Sequence, residues 1–310
     1  MYLLDEKYYD LIKLPQELYH HIAGIYTPED CGFFAAADED GVIPKGSFSD
    51  TELASAYRRG VLNKKKTETD TVYCVADFYS RMECVIEEEL SLFRSLKSED
   101  YLLIQKHMMS PAIWLEPRLK AESKSSDGIE GVMPLEVARK HYQEAKDVFY
   151  IAHCNCNAYM DRCKSRDKSR VCIHCFEGEL PINTIYDRRL VASVSKEEAI
   201  KQLEYADAVG LVHSVHVSPR GVGTCNCCTC CCFQFSHYKE YDIKGSFLKT
   251  NYVIEVNEDL CVNCLSCAER CPFEALQSNE EKMTVDTEKC WGCGLCRNAC
   301  PTDALVIRKR

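Results

Sequence analysis

One cysteine pattern occurs twice near the end of the chain. Residues 261–272 read CVNCLSCAERCP and residues 290–301 read CWGCGLCRNACP, each of the form C-x2-C-x2-C-x3-C-P. The copies lie 29 residues apart, and the match extends to their flanks, VNEDLC against VDTEKC and PFEAL against PTDAL. This is an internal duplication. No hydrophobic pattern in the chain constrains folding as tightly. Each run crowds four thiols into eleven residues, so the backbone must turn repeatedly between them. The fourth cysteine is expected to begin the helix of the other half, with Pro272 or Pro301 setting the chain direction without needing a donor. A zinc ribbon is built on two CxxC pairs, and it accounts poorly for a doubled four-cysteine run with both prolines.

Over about residues 250–310 the pattern resembles the bacterial two-cluster [4Fe–4S] ferredoxins. The resemblance implies that Cys261, Cys264, Cys267 and Cys300 hold one cluster. Cys290, Cys293, Cys296 and Cys271 then hold the second, the fourth cysteine of each run ligating the other cluster. Such a module moves electrons. It contains no candidate acid, base or nucleophile beyond surface charges, and no catalytic residue is assigned.

The 310 residues suffice for two or three domains. No apolar run approaches the ~18 residues of a membrane span. The opening MYLLDEKYYDLIK does not read as a signal peptide, so the chain is expected to be cytoplasmic. Twenty-two cysteines in that compartment argue for metal ligation, because disulfides do not persist there. The net charge of −10 argues against nucleic acid and anionic membranes as partners. Cys31, Cys74 and Cys84 are isolated and read as buried core thiols. The other nineteen cysteines fall into three groups after residue 150.

The central segments prepare two cysteine loops. Leu135, Ala138, Tyr142, Ala145 and Phe149 recur at helical spacing behind Pro134, and the strand VFYIA then delivers Cys154. Further on, Ser195 and Glu198 form a capping box, Gly210 stops the helix, and LVHSVHV alternates as a strand. The first loop carries Cys154, Cys156, Cys163, Cys172 and Cys175. The second, CNCCTCCC at 225–232, follows SPRGVG, whose glycines permit a tight turn. Neighbouring cysteines point apart, and a disulfide needs a specific geometry, so such a loop suits metal–sulfur chemistry better than a disulfide framework. The candidate ligands are Cys154, Cys156, Cys163, Cys172, Cys225, Cys227, Cys228 and Cys231, enough for one or two further [4Fe–4S] clusters; a larger or unusual cluster, zinc storage of a metallothionein kind and a redox-active cysteine cluster are the alternatives. His153, His174, His213 and His216 lie nearby and are read as hydrogen-bonding or partly buried groups. The basic run DRCKSRDKSR (161–170) reads as a solvated loop.

From about residue 130 onward the order of these loops resembles a family of anaerobic 4Fe-4S binding proteins, in which a CNCC-x-CC loop precedes a two-cluster ferredoxin domain. The resemblance implies electron transfer, commonly beside a flavin-containing oxidoreductase or another redox protein. SPRGVG is no nucleotide fingerprint, so a flavin would sit on the partner.

Upstream, PQELYHHIAGI (15–25) reads as a helix. A second begins at Thr27 and Pro28, and a third has Ser49 and Glu52 as capping box and Gly60 as stop. TVYCVA follows as a strand, EEELSLFRSL is a further helix, and ESKSSDG is a linker. Three helices and a strand suggest a winged-helix-like domain. Residues 1–95 carry ten Lys and Arg against eighteen Asp and Glu, which favours protein docking over DNA.

The expected architecture is α+β: a winged-helix-like domain (1–95), a helix/strand cysteine-rich Fe–S domain (96–245) and a ferredoxin-like 2[4Fe–4S] domain (246–310). The leading reading is a multi-cluster electron-transfer protein or oxidoreductase subunit, more than a catalyst on its own. A redox-sensing DNA-binding regulator and an enzyme with an unusual central cluster are the alternatives, and the reading leaves room for an oligomer.

Overall fold

The structure, a computed structural model, describes residues 2–110, 131–145, 148–163, 170–176, 178–218, 221–236, 252–279 and 282–310. The linker ESKSSDG and residues 164–169 of the basic run lie outside them. Contacts divide the chain into two units, Met1–Ile113 with Glu179–Ala192, and Trp114–Gly178 with Ser193–Arg310. This division differs from boundaries at 95 and 245: residues 179–192 return to the first unit, and the central and ferredoxin segments share the second. Both helices and strands are present, so the fold is α+β. No helix among the described residues is long and apolar enough to cross a membrane.

The first unit contains α1 (Asp30–Ala36), α2 (Asp50–Arg58), the antiparallel hairpin β1 (Leu62–Lys66) and β2 (Thr71–Val75), then α3 (Phe78–Glu88), α4 (Leu90–Arg94) and α5 (Ser98–Met108). The Ser49–Glu52 capping box is formed. The helix expected at 15–25 is not. Only a 3-10 turn, Gln16–Leu18, occurs there, because His20 and Gly24 adopt positive φ and break the spiral. Leu18, Ile22 and Ile25 are nevertheless buried, delivered by turns. The second helix starts at Asp30 rather than Thr27, whose N–H donates to the Asp30 carboxylate at 2.8 Å. Arg81, 1% exposed, donates to both Glu89 carboxylate oxygens (2.7 and 2.8 Å) and to the carbonyls of Ile25 and Arg59. That full set of partners is what a buried guanidinium requires. Buried Arg188, on the returning segment, donates to the Tyr57 and Leu62 carbonyls and stacks over the Tyr57 ring.

The second unit is organised by a six-stranded antiparallel sheet of order β3-β7-β8-β5-β4-β6. In chain order its elements are β3 (Gly131–Met133), α6 (Leu135–Glu144), β4 (Val148–His153), α7 (Asn155–Met160), β5 (Arg170–Phe176), β6 (Ser193–Val194), α8 (Lys196–Ala208), β7 (Val212–Ser218) and β8 (Gly221–Cys227). Pro134 is the N-cap of α6, and the Ser195–Glu198 box starts α8. Ala138 and Tyr142 of α6 and Ala199 and Leu203 of α8 share one apolar cluster with Phe149, Ile173, Cys175 and Val215 of the sheet. Gly221 and Gly223 lie inside β8, not in a turn as SPRGVG suggested.

The ferredoxin-like segment adds β9 (Tyr252–Val256), α9 (Ser266–Arg270), β10 (Leu276–Ser278), β11 (Met283–Val285) and β12 (Leu305–Lys309). β9 pairs with β12 and β10 with β11, both antiparallel, which closes the duplication on itself. The fourth cysteines do not begin helices. Cys271 ends α9 and Cys300 ends the 3-10 turn Arg297–Ala299, both with extended backbone. Pro272 and Pro301 explain this, since a residue before proline is driven out of the α region.

Glycine is required where this segment meets the sheet domain. At Gly294 φ is +80°, and a Cβ there would stand 3.0 Å from Ile307 and 3.3 Å from Pro134. Gly294→Ala should therefore cost about 1–3 kcal/mol. The check is thermal bleaching of the visible iron–sulfur absorbance, whose midpoint should fall by roughly 2–10 °C; an unchanged midpoint would show that the seam gives freely.

Candidate metal centres

Strand parity sorts the central cysteines. In β5, Cys172 and Cys175 are three residues apart and face opposite sides of the sheet. Cys175 joins the helix-covered core with Phe149 and Ile173, so it is a packing residue. Cys172 lies on the other face. In β8, Cys225 and Cys227 are two apart and share that face, as does Val212 of β7, which pairs with Cys227. The β5–β8 register, Ile173 with Thr224, sets Cys172 beside Cys225. Cys154 leaves β4 just past a bulge at Ala152/His153, and Cys156 follows on α7.

Six sulfurs meet at this edge. Cys156 hydrogen-bonds with Cys154 and Cys232, Cys172 with Cys154 and Cys225, and Cys227 with Cys225 and Cys232. The contacts close a ring: 154, 156, 232, 227, 225, 172. Cys154, Cys172, Cys227 and Cys232 are buried and the other two half-buried. Neighbouring thiols and burial push Cys156, Cys172 and Cys227 well above the ordinary thiol range. At Cys232 burial acts upward too, but the donating thiols of Cys156 and Cys227 prevail and bring it down to about 5.

A second group is distinct. The sulfurs of Cys163, Cys228, Cys230 and Cys231 all lie within 4.8 Å of one another. Cys230 is exposed and Cys231 buried. Asn157 Nδ2 of α7 lies 3.6 Å from Cys231 Sγ. Both loops thus feed both groups. The ligand candidates of the sequence reading divide as Cys154, Cys156, Cys172, Cys225 and Cys227 in the ring and Cys163, Cys228 and Cys231 in the quartet. Cys232 and Cys230 were missed. They lie beyond the end of β8, in an irregular turn where no periodicity tells which way a side chain points.

The duplicated runs give two further centres. Cys261, Cys264, Cys267 and Cys300 line one small pocket. Cys271, Cys290, Cys293 and Cys296 line another. These are the two quartets expected from the ferredoxin resemblance. Backbone N–H groups of Ala275 and Ala304 point at Cys271 and Cys300 Sγ at 3.4 and 3.2 Å, and Gly292 N–H at Cys290 Sγ at 3.4 Å. Four thiols lining one pocket and N–H donors aimed at sulfur fit a four-iron cluster. The centres differ in wetness: Cys264 is exposed, while Cys290, Cys293 and Cys296 are buried. Burial pushes Cys293 up to about 12, whereas hydrogen bonding at Ser266 lowers Cys264.

The remaining sequence candidates play other parts. His213 is fully buried; its Nδ1 is 2.6 Å from Asn226 Oδ1, and its Nε2 faces Asp207 Oδ1 at 3.7 Å. Asn226 Nδ2 donates to the Val171 carbonyl, so this pair braces the strands beneath the ring. His174 stacks with Phe176. The side chain of His216 lies outside the described residues. Cys84 is buried, as expected, but Cys31 and Cys74 are half-buried, and Cys31 lies 3.0 Å from the Tyr2 hydroxyl.

The family model of the 4Fe-4S dicluster domain matches residues 254–307. That segment is a ferredoxin-like iron–sulfur domain. No curated protein and no solved structure matches the chain.

The thiol environments predict labelling rates. In metal-free, reduced protein near pH 7, iodoacetamide should modify Cys264 well before Cys293. A lowered pKa leaves more thiolate at that pH, and a raised one leaves less. Ser266→Ala should slow Cys264, because the hydrogen bond that lowers its thiol pKa is then lost. Peptide mass spectrometry reads both rates; equal rates at Cys264 and Cys293 would contradict the assignment.

Proposed function

We propose that the chain is a multi-cluster electron-transfer protein or subunit that passes low-potential electrons to or from a flavin-containing oxidoreductase. Bound at the two ferredoxin quartets and the six-sulfur ring, iron–sulfur clusters supply one-electron chemistry. The observation that carries the reading is a packing contact. Cys227 and Cys232 of the ring share one apolar cluster with Cys293 of the second ferredoxin quartet and its neighbour Trp291, and Val132, Val212, Phe235 and Leu295 complete it. Phe235, Phe273 and Trp291 pack with ring centroids 5.2–5.6 Å apart. They keep water from the space between the ring and that quartet.

The two ferredoxin quartets share their own core, in which Cys267 packs with Cys290 and Cys296 around Ile254 and Leu276. A succession therefore runs from the buried ring through the buried quartet to the quartet with exposed Cys264. Electrons are proposed to exchange with the partner at the Cys264 end. Leu260, Val262 and Leu265 are exposed around it and offer an apolar rim for docking. The N-terminal unit is proposed to dock a protein. Its α2, β1–β2 hairpin and α3 are the part of a winged-helix-like plan on which that rests, and its acidic balance suits a basic protein better than DNA.

Anaerobically purified protein should hold more than the roughly eight iron of two cubanes. Cys232→Ser should lose the iron and sulfide of the ring cluster and its signal in EPR of the reduced protein, with both ferredoxin signals kept. Cys175→Ser and Cys31→Ser should keep every signal. The protein should also carry electrons from a low-potential donor to a flavoprotein encoded beside it. Iron confined to about eight in the unaltered chain would remove the ring from this reading, and failure to reduce any flavin partner would remove the proposed role.

A further inference from the structure

The two central thiol groups differ in kind. In the ring each sulfur meets its two neighbours around a circuit. In the quartet of Cys163, Cys228, Cys230 and Cys231 every sulfur lies within 4.8 Å of every other. Among the described residues this is the one group of ligand side chains so compact, and neither ferredoxin quartet meets that limit.

The spacing decides what fits. Four sulfurs bound at about 2.3 Å to one ion, at the corners of a tetrahedron, stand about 3.8 Å apart. Cys230 and Cys231 Sγ are 3.9 Å apart. A cubane places each thiolate on a separate iron, outside a body of eight atoms, and so needs a wider quartet, such as those around the two ferredoxin cavities. We propose that Cys163, Cys228, Cys230 and Cys231 form a closed four-thiolate site for a single tetrahedral ion, zinc or mononuclear iron, separate from the iron–sulfur clusters.

The surroundings agree. Exposed Cys230 gives an ion a path from solvent, and Asn157 Nδ2 stands near Cys231 Sγ, the kind of donor that orients a thiolate ligand. Four protein ligands leave no position for a substrate, which marks a structural site. Its effect is to tie the first loop, through Cys163, to the second. Cys228 packs beside Cys154 and Cys172 of the ring, so the ion would hold in place the turn that carries Cys227 and Cys232. Binding releases thiol protons to water and moves no electrons.

The test uses the full chain purified anaerobically, with zinc, iron and acid-labile sulfide measured together. One zinc per chain, or one iron in excess of sulfide, is expected, and the element found distinguishes the two ions. Cys230→Ser should remove that single metal and leave sulfide unchanged. X-ray absorption of the unaltered protein decides the matter even if the variant fails to fold. It should show the ion with four sulfur neighbours near 2.3 Å and no iron neighbour. Iron equal to sulfide with no zinc would overturn the proposal. So would joint loss of about four iron and four sulfide in Cys230→Ser, or a Cys230–Cys231 disulfide in the anaerobic protein. Any of these would leave the electron-transfer reading standing, since that rests on the ring and the ferredoxin quartets.

Discussion

Crowded sulfur is the interaction on which the second unit depends. Six thiols, each against two others and four of them buried, cannot all ionise, because each thiolate raises the cost of the next. The ring reflects this: Cys156, Cys172 and Cys227 hold their protons tightly while Cys232 gives its proton up. Protons relieve that repulsion in the metal-free chain, and cations bound between the sulfurs would relieve it by displacing those protons. The helices α6 and α8 and the antiparallel sheet provide a rigid frame against which so many like groups can be held.

Much of this was legible in the sequence, unevenly. The ferredoxin quartets could be read because the segment is duplicated, and each copy fixes the spacing of the other. Parity was not read: Cys172, Cys175, Cys225 and Cys227 were expected in loops, and only the strands Arg170–Phe176 and Gly221–Cys227 sort them by face. The grouping into ring and quartet could not be read. It depends on the β5–β8 register and on an irregular turn after Cys227, neither of which has a period. Hence Cys230 and Cys232 escaped the reading, although Cys228 and Cys231 beside them did not.

Where the helices were misread, backbone strain or a neighbour explains it. Leu18, Ile22 and Ile25 have the spacing of a helix and all are buried, but positive φ at His20 and Gly24 winds the chain through turns instead. Cys271 and Cys300 close helical turns because proline follows each. The two capping boxes, Ser49–Glu52 and Ser195–Glu198, formed where expected; their hydrogen bonds span three residues and need no tertiary help.

Three hydrogen bonds link the two halves of the second unit. Arg270, next to Cys271, donates to the carbonyls of Asp207 and Ala208 at the end of α8, and Asn298, between Cys296 and Cys300, donates to the Asp207 carboxylate. The last turn of one helix is thus finished by residues from a different cysteine module. The consequence is mechanical. The carbonyls that close α8 have their partners only while the two cysteine modules keep their places, so a shift of either module would leave the end of that helix unsatisfied.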